Sequence, residues 1–565
     1  MKLIIDGIDA YAAPGQTLLD IIDSLNLNTP CLLDRPIAAK IAGEVFNLNY
    51  IPVRVKLGED DRASVRRAMQ ASGGVVDLIR YQDPAGKDVY NRTVQFVLFL
   101  ALHQLWPSAK VKMDCLIGNA LFVEVYEAHF SADLLKKRVS EIIAENVPLI
   151  RNRLPLKEAI DYFEASCRDD VTQLLKRRKT DYFDLYTHDG FSDYYYGELA
   201  PSTGYVQVWD ILPVDGGFMF LFPDAEHPDR VSDYASMPNF LAVCKEGERW
   251  CELMECQSVS DLNALAANGR IRELIRVNEA LHEKRFSQVA DMVCEGDVKI
   301  VLLAGPSSSG KTTSANRLAT QLRVYGKKPI LMSLDDYYLD RDMIPVGPDG
   351  KRDLEHINTI DTDLFAEHIQ ALLNGETVQI PSFNFKSGKR VWAEHYLTLT
   401  EETVIIVEGL HALNPLLLPE SIDRSKVFKL YVTPLLPLNL DNHNRISSGV
   451  LRLLRRTVRD YNTRGASVQQ TMQMWDSVRR GEKRWIFPFQ EEADVIFNSS
   501  TLYELAVLKK YIYPLLLKIQ PEEFCYEQVR SLVKVLNYVQ EADVDDEIPP
   551  TSIVREFIGG NRFYV

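Results

Sequence analysis

The most constraining stretch of this chain is Gly305-Pro306-Ser307-Ser308-Ser309-Gly310-Lys311-Thr312-Thr313, which fits the pattern G-x-x-x-x-G-K-[ST]. It follows a continuous apolar run, Ile300 to Ala304. It precedes an amphipathic stretch with Ala315, Leu318, Leu322 and Tyr325 on one face and Gly326 at its end. A strand feeding a glycine-rich turn and then a helix makes backbone N–H groups converge at the helix N-terminus, where the peptide dipoles also favour negative charge. Such a cradle takes a polyphosphate, with the Lys311 ammonium at its β- and γ-phosphates and the Thr312 hydroxyl on Mg²⁺. The sequence therefore predicts binding of a nucleoside triphosphate together with magnesium.

The surroundings agree with this reading. Short apolar runs at 300–304, 330–334, 404–407, 427–432 and 495–497 alternate with helical segments, the texture of a parallel sheet covered on both faces. Carboxyl ends of such strands face the ligand crevice. The second run ends in Asp335-Asp336, where Asp335 could take a proton from an attacking hydroxyl and share in holding the metal; a solvated pair of loop aspartates is the bland alternative. The third ends in Glu408-Gly409, which places a metal or water ligand, or a helix-capping or surface carboxylate, at the same edge. Between Asp441 and Trp485 ten Lys and Arg stand against four acids. Arg452, Arg455, Arg456 and Arg459 fall mostly on one side of a helix, and Arg464 follows in a loop. Planar guanidiniums suit the charge that spreads over phosphoryl oxygens during transfer. A solvated basic face and an RNA-facing patch are the alternatives.

With LDDYY, DLEHINTID, PSFNF, VEGLHALN and LRRTVRDYNTRG in the same order, residues 299 to about 500 resemble the uridine kinase and phosphoribulokinase branch of P-loop kinases. The resemblance implies an ATP- and Mg²⁺-dependent kinase acting on a hydroxyl of a nucleoside or similar sugar-like acceptor. It implies that Asp335 is the general base, that Glu408 and Thr312 are Mg²⁺ ligands, and that Arg456, Arg459 and Arg464 form a lid over the phosphates. Tyr338, Glu355, Phe383, Phe385 and Arg390 fall where that family builds its acceptor pocket. Three positions depart from the family's nucleoside kinases. Gly388 stands in place of a base-reading His, Ala466 in place of a second lid Arg, and Glu355 in place of the usual, shorter Asp.

The chain is much longer than this segment. Its 565 residues suggest three to four domains. The excess of 79 acidic over 64 basic side chains, a formal net charge of −15, opposes broad contact with nucleic acid or anionic lipid and confines any anion site to a local cluster. The eight cysteines are scattered without metal-ligand spacing, as suits reduced thiols in a cytoplasmic protein. The start MKLIIDGID lacks a signal-peptide core, and the longest apolar stretch, around 94–106, is too short for a membrane span.

The expected organisation is α/β and multidomain: a β-grasp module at 1–60, an α+β domain at 61–245, a helical connector at 246–298, the P-loop domain at 299–500, and C-terminal helices and tail at 501–565. Strands are expected at 2–5, 37–41, 45–48, 120–125 and 205–208, and helices at 94–105, 132–146 and, interrupted by Gly269, 260–293. The stretch AAKIAGEVFNLNY resembles the TGS module of threonyl-tRNA synthetase, and LFLALHQLWPSAKV and YFDLYTHDG resemble that enzyme's second domain. By that resemblance, the editing His pair aligns with Arg92 and Phe96 and the editing Cys with Tyr186, so the ligand and base groups of the hydrolytic site are gone. With IPPTSIVREFIGG at the end, the whole chain resembles bacterial uridine kinase-like proteins with fused TGS domains. A second reading follows from the front half: a nucleotide-gated regulatory protein that binds tRNA or the ribosome.

Overall fold

The computed structural model describes residues 1–53, 72–118, 120–127, 129–178, 180–224, 227–344, 352, 355–384 and 387–563. Ala42 and Gly43 both take positive φ, at 48° and 82°, and this tight turn joins Pro36–Ile41 to Glu44–Phe46 as an antiparallel hairpin. The hairpin belongs to a five-stranded sheet whose other members are Lys2–Ile5, Ile8–Tyr11 and Val75–Arg80. The last strand lies beyond the boundary expected at residue 60. It runs parallel to Lys2–Ile5 and antiparallel to Pro36–Ile41, and Val76 and Leu78 enter the same core as Ile5 and Ile41. Helix Leu18–Ser24 closes this core, started by a capping box between Thr17 and Asp20.

The helix expected from 94 begins ten residues earlier, because Asp83 and Pro84 supply a start signal, and it runs Pro84–Leu105. It packs with a four-stranded antiparallel sheet ordered Asp210–Val214, Gly217–Leu221, Ala120–Tyr126, Lys110–Ile117. The strand expected at 205–208 is absent, and a 3-10 turn occupies Thr203–Tyr205. The Tyr90 hydroxyl takes both main-chain groups of Val208, accepting from its N–H at 3.0 Å and donating to its carbonyl at 2.8 Å, so neither is left for a strand partner. Arg92, Phe96 and Tyr186 lie together: the Phe96 and Tyr186 rings are 6.4 Å apart, and Arg92 and Tyr186 both donate to Glu198.

The third sheet is wholly parallel, in the order Lys328–Ser333, Thr403–Glu408, Ile300–Ala304, Val427–Thr433, Val495–Asn498. The strand Ile300–Ala304 is buried at every residue, and its pleat divides two cores. Val301 and Leu303 face Leu318 and Leu322 of helix Lys311–Val324, with Leu274, Ile275, Phe286 and Val289 of Ile271–Glu295 behind them. Ile300, Leu302 and Ala304 share a core with Cys115, Ile117, Phe122, Met219 and Leu221 of the antiparallel sheet. The expected connector is thus a covering layer of the parallel sheet, made of Pro238–Leu253, Val259–Ala267 and Ile271–Glu295, with Gly269 at φ +79° in the break between the last two. A hairpin, Val378–Asn384 with Lys389–Leu397, and the helices Glu504–Leu516 and Tyr526–Leu536 complete the description. Among the described residues no helix is long and apolar enough to cross a membrane.

Candidate active site

The turn after Ile300–Ala304 admits no side chain at its two glycines. A Cβ on Gly305 would lie 2.1 Å from the Val432 carbonyl oxygen and 2.7 Å from Ser309 Oγ. Gly310, the N-cap of Lys311–Val324, has φ +89°, and a Cβ there would meet Ile553 Cγ2 at 2.5 Å. Lys311 folds across the turn and donates to the carbonyls of Gly305 at 3.0 Å and Pro306 at 3.2 Å. Burial lowers its pKa, against the pull of Glu408 and Asp335. The buried hydroxyls of Ser308 and Ser309 have no hydrogen-bond partner among the described residues. A backbone cradle, an ammonium lying across it and two orphaned hydroxyls form a donor set that fits a polyphosphate.

Register brings the carboxylates to this cradle. Glu408 pairs with Leu303 on one side and Ser333 on the other, at the carboxyl ends of three adjacent strands. Thr312 Oγ1 donates to Glu408 at 3.0 Å, and burial raises the Glu408 carboxyl to about 7, with Lys311 opposing. Asp335 stands two residues past Ser333, whose Oγ accepts from the Asp335 N–H at 3.2 Å. Burial raises Asp335 as well, opposed by Lys311, and the Tyr338 hydroxyl hydrogen-bonds it. One hydroxyl and two carboxylates are hard oxygen donors of the kind Mg²⁺ takes. The neighbouring Asp336 does different work: it accepts from the Phe383 N–H at 3.1 Å and from Ser382 Oγ at 3.3 Å, pinning the hairpin to the strand end.

The arginines of helix Ser448–Arg464 separate into two sets. Arg452 donates to the Ser307 carbonyl at 2.8 Å and pairs with buried Glu482, which also accepts from the Ser307 N–H at 2.9 Å. Arg455 donates to Glu504 at 2.7 and 2.9 Å and to the Ser499 carbonyl at 2.9 Å. These two brace the back of the turn. Arg456, Arg459 and Arg464 instead gather on Asp460, at 3.2, 3.0 and 3.6 Å, and Arg456 also reaches Ser307 Oγ at 2.7 Å. Sequence spacing shows Asp460 four residues from both Arg456 and Arg464. Glu482 pairs locally with Arg479 at 3.3 Å, but it meets Arg452, as Glu504 meets Arg455, only through tertiary packing.

Among the expected acceptor residues, Tyr338 and Phe383 meet edge to face with ring centres 5.5 Å apart. Glu355 packs against Gly481, where a Cβ would come within 2.4 Å of its own, and it acts electrostatically on Tyr338 and Arg456. Arg390 donates to Asp361 at 2.9 Å and to the carbonyls of Tyr337 and Tyr338 at 3.1 and 3.2 Å, so its guanidinium braces the turn that carries Asp335. Phe385 lies outside the described residues. Gly388 has φ +68°, and a Cβ there would lie 2.6 Å from Arg341 Cδ. The sequence did not point to Glu556 of the tail, which accepts from Thr313 Oγ1 at 2.7 Å, or to Asn561, which donates to the same hydroxyl at 3.1 Å.

Comparison with known proteins adds to this geometry. The model of the phosphoribulokinase / uridine kinase family matches residues 300–506. A uridine kinase of Vibrio vulnificus (strain YJ016) is 31% identical over 222 residues, 38% of this chain and 95% of that protein. A uridine kinase of Staphylococcus aureus (strain JH9) is 29% identical over 209 residues, 37% of this chain and 91% of that protein. A solved D-glycerate 3-kinase from Cryptococcus neoformans aligns with 49% of this chain and 89% of its own at 16% identity and a TM-score of 0.20. Through the domain built around its glycine-rich turn, the chain belongs to the phosphoribulokinase / uridine kinase family of P-loop kinases.

Proposed function

We propose that the chain transfers the γ-phosphoryl group of ATP to a hydroxyl of a nucleoside or a related sugar-like acceptor. The observation that carries this reading is the meeting of Asp335, Thr312 and Glu408 around Lys311 at the mouth of the cradle. Thr312 and Glu408, with Asp335 beside them, would hold Mg²⁺, which as a Lewis acid would neutralise phosphate charge.

The protein's own groups do the rest. Asp335 accepts the proton of the attacking hydroxyl, and the Tyr338 hydrogen bond fixes which carboxylate oxygen faces that proton. Lys311 leaves the carbonyls of Gly305 and Pro306 for the better acceptors of the phosphate chain. Arg456, Arg459 and Arg464, crowded on one carboxylate, carry more positive charge than Asp460 balances and supply the excess to the phosphoryl oxygens. Tyr338 and Phe383 form an apolar wall for a ring, and Glu355 offers a carboxylate to acceptor hydroxyls.

The test follows γ-labelled phosphate from ATP into products by mass spectrometry, with a panel of nucleosides and pentose derivatives and an Asp335→Asn control. A phosphorylated acceptor that disappears in the control is expected. Slow loss of ATP with no phosphorylated acceptor would overturn the reading.

A further inference from the structure

A cavity of about 550 Å³ lies between the front half and the C-terminal helices, and none of its lining residues belongs to the phosphate-binding turn or the arginine helix. Its volume is in the range of small-molecule sites. The charge of its wall is unusual for a chain with a net charge of −15. Arg151, Arg177, Arg178, Lys509 and Lys534 line it, with Asp184 the one acidic residue among the described lining residues. Asp184 is already engaged by Arg151 at 2.6 Å and by Arg153 at 2.9 Å.

The other cations make hydrogen bonds to neutral groups. Arg177 donates to Gln540 at 2.6 Å, Arg178 to Thr180 at 2.6 Å and to the Tyr538 hydroxyl, and Lys509 to the Val539 carbonyl at 2.7 Å. Lys534 is exposed where it lines the cavity, and no ion pair to it is found among the described residues. Its neighbours Arg530, Arg151 and Arg92 repel it, with Glu198 the counterweight, and burial together with that repulsion lowers its pKa to about 8. An anion bound beside Lys534 would offset that repulsion. Beside it stand the rings of Tyr196, Tyr513 and Tyr538, the first and last edge to face at 5.6 Å. Phenol rings offer faces for a planar partner, and the guanidiniums offer paired donors for phosphate oxygens.

We propose that this cavity is a second binding site, for a small phosphate ester that carries a planar ring, of the class of the nucleoside monophosphates. The phosphate would sit at Lys534 with Arg177 and Arg178, and the ring against the tyrosines. The site is independent of the phosphate cradle, so its fate does not depend on the kinase reading.

Titration calorimetry on the full chain tests it, with pyrophosphate, AMP and UMP as probes and with Lys311→Ala as the background that disables the cradle. In that background, AMP or UMP is expected to bind at one site per chain and more tightly than pyrophosphate. Adding Lys534→Glu should weaken that binding at least about tenfold, and Lys534→Gln should weaken it less. Neither change should lower the melting temperature without ligand, because Lys534 is exposed and holds no ion pair among the described residues; a purely structural lysine would show the opposite. Absence of binding below about 1 mM for all three probes, a Kd that Lys534→Glu leaves unchanged, or pyrophosphate binding as tightly as both nucleotides would each overturn the assignment.

Discussion

Arg455 and Glu504 form an ion pair at 2.7 Å in which neither side chain reaches solvent. The same guanidinium also donates to the carbonyls of Ser499, just past the last parallel strand, and of Ser308, in the glycine-rich turn. The pair therefore ties the turn to the sheet edge. Buried charges tolerate this arrangement only when every donor is used, and removing one partner strands the other in a medium that cannot solvate it. Glu504→Gln should cost about 3 to 5 kcal/mol of stability, read from urea unfolding. The double variant Arg455→Met with Glu504→Leu should recover much of that loss, since it leaves no unpaired charge.

Asp335 can be separated from the binding step. Asp335→Asn keeps the shape of the side chain but cannot accept the acceptor's proton. Phosphoryl transfer should fall by about 10² to 10⁴, while nucleotide affinity, measured by calorimetry, changes little.

Glu408 gives a dependence on pH with a definite sign. Its carboxyl is raised from 4.5 to about 7 by burial. Between those values the folded chain holds a proton that the unfolded chain has released, so the stability of the unliganded protein falls as pH rises through that window. Glu408→Gln abolishes this titration. The variant should be more stable than the parent by on the order of 1 to 3 kcal/mol at about pH 8, with most of the difference gone below about pH 5. Thermal melts at the two pH values check this. The same substitution should weaken transfer, so stability and activity would move in opposite directions.

The C-terminal tail is as much a part of the core as the sheet. Ile553, Val554 and Phe557 are fully buried, and Phe557 lies under the Arg455 guanidinium at 4.9 Å. Phe557→Ala should cost about 3 to 5 kcal/mol. Because Ile553 lies directly against Gly310, removing the chain after Pro550 should also weaken nucleotide binding, as a calorimetric titration would reveal.

The parallel sheet, the glycine-rich turn and the strand-end carboxylates were legible in the sequence because each rests on local pattern: continuous apolar runs, a fixed spacing of glycines, an acid directly after a strand. Gly269 marked a helix break for the same reason. What escaped was set by contacts distant in sequence. The arginine helix announced its charge, but only Glu482 and Glu504, reached through tertiary packing, decide that Arg452 and Arg455 brace the turn while Arg456, Arg459 and Arg464 collect elsewhere. The strand expected at 205–208 failed because a phenol 118 residues away takes the backbone groups of Val208. The strand Val75–Arg80 went unread because the pairing that claims it reaches back to the first residues of the chain.

The strand Ile300–Ala304 presents alternate residues to two different interiors, one of them completed by Phe122, Met219 and Leu221 from the front half. A fragment cut at the family boundary would begin life with that flank wet and greasy, and expression of 299–500 alone should give inclusion bodies rather than a trimmed enzyme. The front half thus supplies a wall of the P-loop domain.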